Sequence, residues 1–251
     1  MSLNLFQPIN TSYQAILNWV YPNSCLFCRQ DLEYDQTFPL CHSCFSSIQN
    51  IPEPYCKTCH LFLKDGGAHC YSCKKQKPYF DFIRSIGVYE GPLKSLIHHY
   101  KYQFKDYLAE PLSQLLYLLW EKHPYLHDVQ CIIPVPIHPI AKRARGYNQS
   151  DLLAEKFFKK LSKQTLFSTL SIHSTLMRRI KHTVSQTQLS REQRRMNVEN
   201  IFQVESSEPI KNKNILLMDD VCTTGATLNA CAKELKKAGA KKVYALTLAR
   251  D

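Results

Sequence analysis

At 251 residues with 44% hydrophobic side chains, the chain can hold one full α/β domain plus a small appendage, and its composition excludes disorder as the default state. The formal net charge is +11, of which +9 falls in residues 139–200 with their 13 basic and 4 acidic side chains; such a segment suits nucleic acid or a polyphosphate substrate, and charge alone does not separate the two. The N-terminus lacks a basic segment and the longest dense apolar run, Leu115 to Trp120, is far too short to span a bilayer, so neither a secretory signal nor membrane insertion is expected, and the cytosol is the expected compartment.

Residues 11–20 are expected to form a short helix presenting Tyr13, Ile16, Leu17 and Val20, broken by Pro22. Four C-x-x-C pairs follow: Cys25/Cys28, Cys41/Cys44, Cys56/Cys59 and Cys70/Cys73. Each pair can place two thiolates on one tetrahedral ion from a single tight turn, and two pairs complete a closed four-sulfur zinc site. Disulfides conflict with a cytosolic compartment, and thioredoxin-like redox pairs need a βαβ context that this stretch lacks. Four sulfurs leave no position for a substrate, so the zinc is structural. Without metal, so short a segment buries too little surface to hold a fold. Sequential pairing (25/28 with 41/44, 56/59 with 70/73) and an interleaved arrangement both satisfy the spacing. His42, His60 and His69 could replace a thiolate, but as lone histidines among complete cysteine pairs they are expected to be exposed.

Ile83 to Tyr89 reads as a strand, Glu90-Gly91-Pro92 as a turn, and Leu93 to Tyr102 as a helix burying Leu93, Leu96, Ile97 and Tyr100. Asp106 to Glu121 is a longer leucine-rich helix that belongs to the core. Cys131 to Pro136 is a second buried strand, stopped by two prolines, where the chain is expected to turn away and expose backbone N–H groups. An ordinary strand-to-helix connection fits the same residues.

Lys142 to Gln149 combines three cations, Gly146, Tyr147 and two amides, a mixture that helix packing does not ask for. Arg143 and Arg145 can chelate phosphate oxygens, Gly146 lets the backbone bend, and Asn148 or Gln149 could read a base or cap the next helix. Arg178 to Arg195 reads either as a solvated basic helix preceded by a mobile loop, or as a segment that closes over a site or touches nucleic acid. Ile215 to Met218 is a wholly apolar run of the kind covered on both faces, with Asp219 and Asp220 where that strand is expected to end. From Thr223 the chain supplies hydroxyls, one glycine and the free N–H groups of a new helix over 224–237, a site for a phosphate dianion. Thr224 or Thr227 capping that helix, with the two acids merely exposed, is the plainer reading. Leu228, Cys231, Ala232 and Leu235 face inward, Gly239 ends the helix, and Val243 to Leu248 is the closing strand. Cys131 and Cys231 read as buried apolar residues, and Cys222 as a loop thiol open to oxidation. Neither G-x-G-x-x-G nor G-x-x-x-x-G-K-[ST] occurs, which argues against dinucleotide and Walker-type ATP binding.

The Leu-Met-Asp-Asp-Val-Cys-Thr-Thr-Gly-Ala-Thr string resembles the phosphoribosyl pyrophosphate (PRPP) loop of the type I phosphoribosyltransferases. Pro-Val-Pro followed by Arg145-Gly146-Tyr147-Asn148-Gln149 resembles the Arg-Gly-Phe-Asn-Gln signature of the ComF (ComFC) competence family, with Tyr147 in place of Phe. Arg179, Thr183, Gln186, Leu189, Arg194, Asn197, Phe202 and the final Ala249-Arg250 match that family's spaced pattern, so the resemblance, with its double zinc ribbon, covers nearly the whole chain. It implies an N-terminal helix and zinc-ribbon module over 1–79 and, over 80–251, a mainly parallel twisted sheet with helices on both faces.

The resemblance also implies roles. Asp219 and Asp220 would hold the ribose hydroxyls and act as the catalytic acids, because carboxylates accept from a diol. Cys222, Thr223, Thr224, Gly225, Ala226 and Thr227 would wrap the 5′-phosphate, where N–H groups and a helix dipole favour an anion, with Val221 beside them in the PRPP-binding set. Pro134 and Val135 fall where the pyrophosphate loop sits, with Lys101 and Arg143 as further PRPP contacts and magnesium as the companion ion. Arg145, Tyr147, Arg179, Arg194 and Arg195 are the nucleic-acid candidates. The implied function is PRPP and magnesium binding in natural transformation, with transfer of phosphoribose to an unidentified acceptor. The alternative is a non-catalytic PRPP-sensing adaptor that binds single-stranded DNA. Other competence proteins of a helicase-like or recombination-mediator kind are the implied partners.

Overall fold

The computed structural model describes residues 23–33, 36–103, 105–164, 167, 169–181 and 201–251. The expected helix at 11–20 and the positions Thr183, Gln186, Leu189, Arg194, Arg195 and Asn197 lie outside the described residues. Among the described residues the strands are β1 (Phe82–Val88), β2 (Cys131–Pro134), β3 (Ser171–Ile172), β4 (Met177–Arg179), β5 (Phe202–Val204), β6 (Asn214–Cys222) and β7 (Lys242–Arg250). The helices are α1 (His42–Ser46), α2 (Tyr71–Lys75), α3 (Gly91–Tyr102), α4 (Ala109–Glu121), α5 (Pro139–Arg145), α6 (Gln149–Leu161) and α7 (Ala226–Lys237). Five strands form one sheet in the order β1-β7-β6-β2-β3 with every neighbouring pair parallel, and β4 and β5 pair antiparallel beside it.

A parallel sheet needs both faces covered, and the alternation of side chains along its strands shows how this is done. Leu216, Met218, Leu246 and Ile132 point to a core shared with Leu93, Leu96, Ile97 and Tyr100 of α3, Leu112, Leu116 and Trp120 of α4, and Leu153 and Phe157 of α6. Ile215, Leu217, Val243, Ala245 and Ile133 point the other way, to Leu228, Cys231 and Leu235 of α7 and to Met177 and Phe202 of the β4–β5 pair. The four inward positions expected on α3 and the four expected on α7 are all buried. Burial of this kind is the dominant favourable term, at roughly 25 cal/mol per Å² of apolar surface.

The cysteine-rich segment divides between these two layers. Cys25, Leu26, Phe38, Leu40 and Cys44 of the first ribbon belong to the α3–α4–α6 core, whereas Cys56, Cys59, Leu63 and Cys70 of the second belong to the α7 core. The ribbons thus hold the sheet's β1 side from both faces. The second also docks through four consecutive residues, three of them on the β1 edge and the fourth on Arg250 of β7. The N–H of Ile83 donates to the Thr58 carbonyl (2.8 Å), that of Ser85 to His60 Nδ1 (3.0 Å), Arg84 to the Lys57 carbonyl (3.0 Å) and Arg250 to the Cys59 carbonyl (3.1 Å). An open strand edge is satisfied in this way without an eighth strand.

Three local expectations change. His60 is buried at 6% exposure because its ring accepts from the β1 edge; burial and then the Arg84 charge lower its pKa to about 3, so it serves as a neutral acceptor. His42 and His69 are exposed as expected. Gly91 and Pro92 open α3 rather than forming a separate turn, a position where proline costs no helix hydrogen bond. Arg178 and Arg179, read as the start of a basic helix, lie in β4 because the 177–179 backbone pairs with 202–204.

Candidate functional site

β6 does not stop where its apolar run stops. Parallel pairing with β7 continues through Asp219↔Thr247 and Val221↔Ala249 to Cys222↔Arg250, so both acids are strand residues with alternating directions. Asp220 forms an ion pair with Lys101 of α3 at 2.7 Å, the two side chains being only 10% and 16% exposed. Burial opposes the Lys101 charge, but the Asp220 carboxylate outweighs it and holds the lysine above its ordinary pKa. Asp219 Oδ1 accepts from the Ser150 hydroxyl (3.0 Å) and from the N–H of Asp220 (2.9 Å). Burial, reinforced by the neighbouring Asp220 charge, raises the Asp219 pKa to about 7.

Ser150 is the residue that sequence reasoning missed. It sits in the first turn of α6, where Asn148 caps the helix by accepting from the Ser150 N–H (3.2 Å) and donates to the Val135 carbonyl (3.2 Å). One asparagine therefore ties the end of β2 to the helix that aims Ser150 at Asp219. The only signal in the chain was the amide pair beside it, read there as base reader or cap; the capping function is the one observed.

Pro134 and Val135 are buried beside these acids, but the Val135 N–H donates to the Met218 carbonyl (2.9 Å) and extends the β2–β6 ladder. The expectation that the chain exposes its N–H groups directly at the prolines is thus corrected for Val135, since the register with β6 outlasts the strand proper. Beyond Cys222, Thr223 and Thr224 are half-buried. Gly225 adopts φ 77°, a left-handed conformation that favours glycine, and α7 begins at Ala226. The Thr224 hydroxyl accepts from the Ala226 N–H (3.2 Å), so the local turn expected of a capping threonine coexists with the phosphate-sized loop. Ala226 and Thr227 form the first turn of α7, whose dipole favours an anion there. Cys222 is 2% exposed at the strand end, and burial raises its thiol pKa to about 11, which works against the oxidation sensitivity expected of it.

The cationic candidates do not form one cluster. Arg143 is exposed on α5. Arg145 bonds Gln149 Oε1 (3.2 Å) and lies 5.3 Å from the ring centre of Tyr102, itself 54% exposed at the end of α3. Tyr147 is half-buried, its hydroxyl donating to the Tyr100 carbonyl. Arg179 belongs to the β4–β5 pair, with its guanidinium 6.0 Å from the Phe202 ring centre. Arg194 and Arg195 lie outside the described residues.

The cysteines assemble into two groups, Cys25/Cys28/Cys41/Cys44 and Cys56/Cys59/Cys70/Cys73, with the four sulfurs of each within 4.8 Å of one another. The sequential pairing is the one adopted. Cys28 and Cys41 sulfurs are 3.7 Å apart and those of Cys59 and Cys70 3.6 Å, close to the edge of about 3.8 Å of a tetrahedron with 2.3 Å zinc–sulfur bonds. Both sets therefore fit structural zinc. No helix among the described residues is long and apolar enough to cross a membrane.

Comparison with known proteins agrees with this division. Residues 16–74 match the double zinc ribbon domain family and residues 155–251 the phosphoribosyl transferase domain family. The chain is 35% identical over 230 residues to Competence protein F of Haemophilus influenzae, covering 90% of this chain and 96% of that protein. It is 30% identical over 233 residues to DNA utilization protein YhgH of Escherichia coli K12 (91% and 97% covered). With Competence protein ComFC of Streptococcus pneumoniae it shares 27% identity over 239 residues (90% and 99% covered). The parallel sheet with helices on both faces is the phosphoribosyltransferase fold, preceded by a zinc-ribbon cysteine module.

Proposed function

Because the chain belongs to the family of Competence protein F, a double zinc ribbon joined to a phosphoribosyltransferase domain, we propose that it binds PRPP with magnesium at the carboxyl ends of β2 and β6 and acts in the handling of single-stranded DNA during natural transformation. The observation that carries this reading is the line Lys101–Asp220–Asp219–Ser150 beside a loop whose left-handed Gly225 opens a helix. Strand ends of open α/β sheets are where ligands bind, and here that end offers carboxylates next to an anion-favouring turn.

The two charge types suit the two halves of a phosphoribosyl group. Asp219 and Asp220 accept from the ribose hydroxyls, while the hydroxyls of Thr223, Thr224 and Thr227 and the N–H groups of the α7 first turn receive the 5′-phosphate. Lys101 pairs with Asp220 in the free protein; in the complex its ammonium shifts toward the pyrophosphate, which lies on the β2 side. The oxygen-only donor set of the two acids fits magnesium, which supplies charge neutralisation of pyrophosphate when bound. As pyrophosphate departs, the carboxylates stabilise positive charge developing on the ribose carbon, so catalysis would rest on orientation and electrostatics rather than on a nucleophile.

Calorimetric titration of PRPP into zinc-replete protein, with and without magnesium, tests the pocket. Magnesium-dependent binding by the wild type and its loss in Asp219→Asn/Asp220→Asn is the expected result. Equal affinity of the two proteins overturns the reading.

A second reading, a PRPP-sensing adaptor without transfer activity, is favoured by one surface feature. Arg145 over the exposed Tyr102 ring places a cation and a stacking platform close to Lys101, and exposed Arg143 lies on the same short helix as Arg145. Cations with open aromatic faces are the usual equipment for single-stranded nucleic acid. Single-stranded DNA affinity that falls steeply with salt, and falls further in Arg143→Gln/Arg145→Gln, is expected; salt-independent or undiminished binding sinks the reading.

A further inference from the structure

The final Ala249-Arg250 step has no assigned task, yet Arg250 is 3% exposed and placed between the second ribbon and the phosphate loop. Its Nε donates to the Cys59 carbonyl (3.1 Å), and its Nη1 donates to the Cys222 carbonyl (2.9 Å) and the Asp251 carbonyl (2.7 Å). Cys59 is a zinc-site cysteine of the second ribbon, and Cys222 is the last residue of β6 before the loop. One planar side chain therefore spans from metal knuckle to loop base. A guanidinium is suited to this because its donors leave in fixed, divergent directions.

Two further contacts bear on the loop and α7, one from Tyr79 at the end of the ribbon module and one from Phe80 and Ile83 of the sheet domain. The Tyr79 N–H donates to Asn229 Oδ1 (2.7 Å) in the first turns of α7, and a Cβ at Gly225 would meet Ile83 at 3.7 Å and Phe80 at 3.8 Å. Elsewhere ribbon and loop are separated by a cavity of about 200 Å³ lined by Ser72, Gln76, Tyr79, Thr224, Ala226 and Asn229. Contact between the two is thus concentrated at a few points. Among the described residues, Arg250 is the side chain that bonds both the ribbon and the main chain where β6 gives way to the loop, at a Cys222 carbonyl that also accepts from the Asp251 N–H (3.0 Å). The described buried residues of the first ribbon pack in the opposite core.

We infer that Arg250 is a positioning residue for the phosphate-binding loop, holding residues 222–225 in register with the second zinc ribbon so that the loop is preformed for a phosphate monoester. The inference deepens the PRPP reading and rests on it for the identity of the ligand. It assigns the second ribbon a task beyond stability, as the back wall of the anion site.

The test compares wild type, Arg250→Met and Arg250→Lys, each checked for two zinc ions per chain. Hydrogen–deuterium exchange of the 223–227 amides is measured without ligand, and ribose 5-phosphate and magnesium pyrophosphate are titrated separately. In Arg250→Met the loop amides are expected to exchange faster while the β6 and β7 amides stay protected. Its ribose 5-phosphate affinity is expected to drop about tenfold or more, with pyrophosphate affinity held within about twofold, as befits loss of charge-assisted hydrogen bonds at one end of the site. Arg250→Lys, which keeps the charge but cannot span both carbonyls, should fall between the two, and it carries the comparison if the methionine variant loses zinc. Unchanged loop exchange, or equal losses for both ligands, overturns the inference. A wild type whose loop is ordered by Arg250 but which takes up neither ligand leaves the positioning role intact and sinks the PRPP reading instead.

Discussion

Asp219 accepts from two neutral donors, Ser150 and the Asp220 N–H, while Lys101 goes to Asp220. Burial and then the Asp220 charge raise its pKa to about 7, which fixes the direction of two pH effects. Ionisation makes it a better acceptor for a diol, so PRPP affinity should rise by about tenfold between pH 6 and 8 relative to Asp219→Asn, read by calorimetry at each pH. A flat ratio would remove Asp219 from the binding set. Stability runs the other way. Between pH 3.8 and about 7 the folded state holds more protons than the unfolded chain, so the contribution of this carboxyl to stability falls as pH rises through that window. The acids and the loop stand out in the sequence because they form one short, specific string, whereas Lys101, far earlier in the chain, entered only through the family resemblance. Ser150 was not legible, because 69 residues separate it from Asp219 and a lone serine has no signature. His60 was misread for a related reason: its partner is a backbone N–H of a strand 25 residues away.

At the scale of elements, hydrophobic period located α3, α4, α7 and the strand cores, but strand ends depended on neighbours that lie far off in the chain. β6 runs on through two acids because β7 pairs with it to Cys222↔Arg250, and the β2 ladder reaches Val135 because Met218 receives its N–H. The 177–179 segment became a strand only through its pairing with 202–204. Close approach matters equally on the β1 edge. A Cβ added at Gly87 would overlap the Gln49 carbonyl oxygen, a backbone atom that cannot swing away. Gly87→Ala should therefore cost about 2–3 kcal/mol, read as a lower thermal midpoint with the zinc content unchanged. A midpoint within experimental scatter of the wild type would mean that the 49–50 linker is free to shift.

Taken as a whole, the molecule uses two metal modules as sheet covers rather than as a separate appendage. Cysteine spacing made the modules legible and left their pairing open, and nothing in the spacing said that one ribbon would lie on each face of the same sheet. That placement makes metal and fold inseparable. Stripping zinc with a chelator should collapse secondary structure and release both ions in one cooperative transition, with the thermal midpoint lowered by more than about 10 °C. Retention of the sheet after metal removal, seen by circular dichroism, would contradict it. The strand order has a consequence for a chain emerging from the ribosome. Ser85 of β1 meets Thr247 of β7 across 162 residues, so β1 waits for its sheet neighbour until β7 has been made. Its other edge faces the 57–60 knuckle, which has already been synthesised and can be metal-loaded, so a nascent β1 has a partner on one side from the start. In zinc-starved cells that early partner is missing, and half-made chains should be the species that associate with one another through bare strand edges.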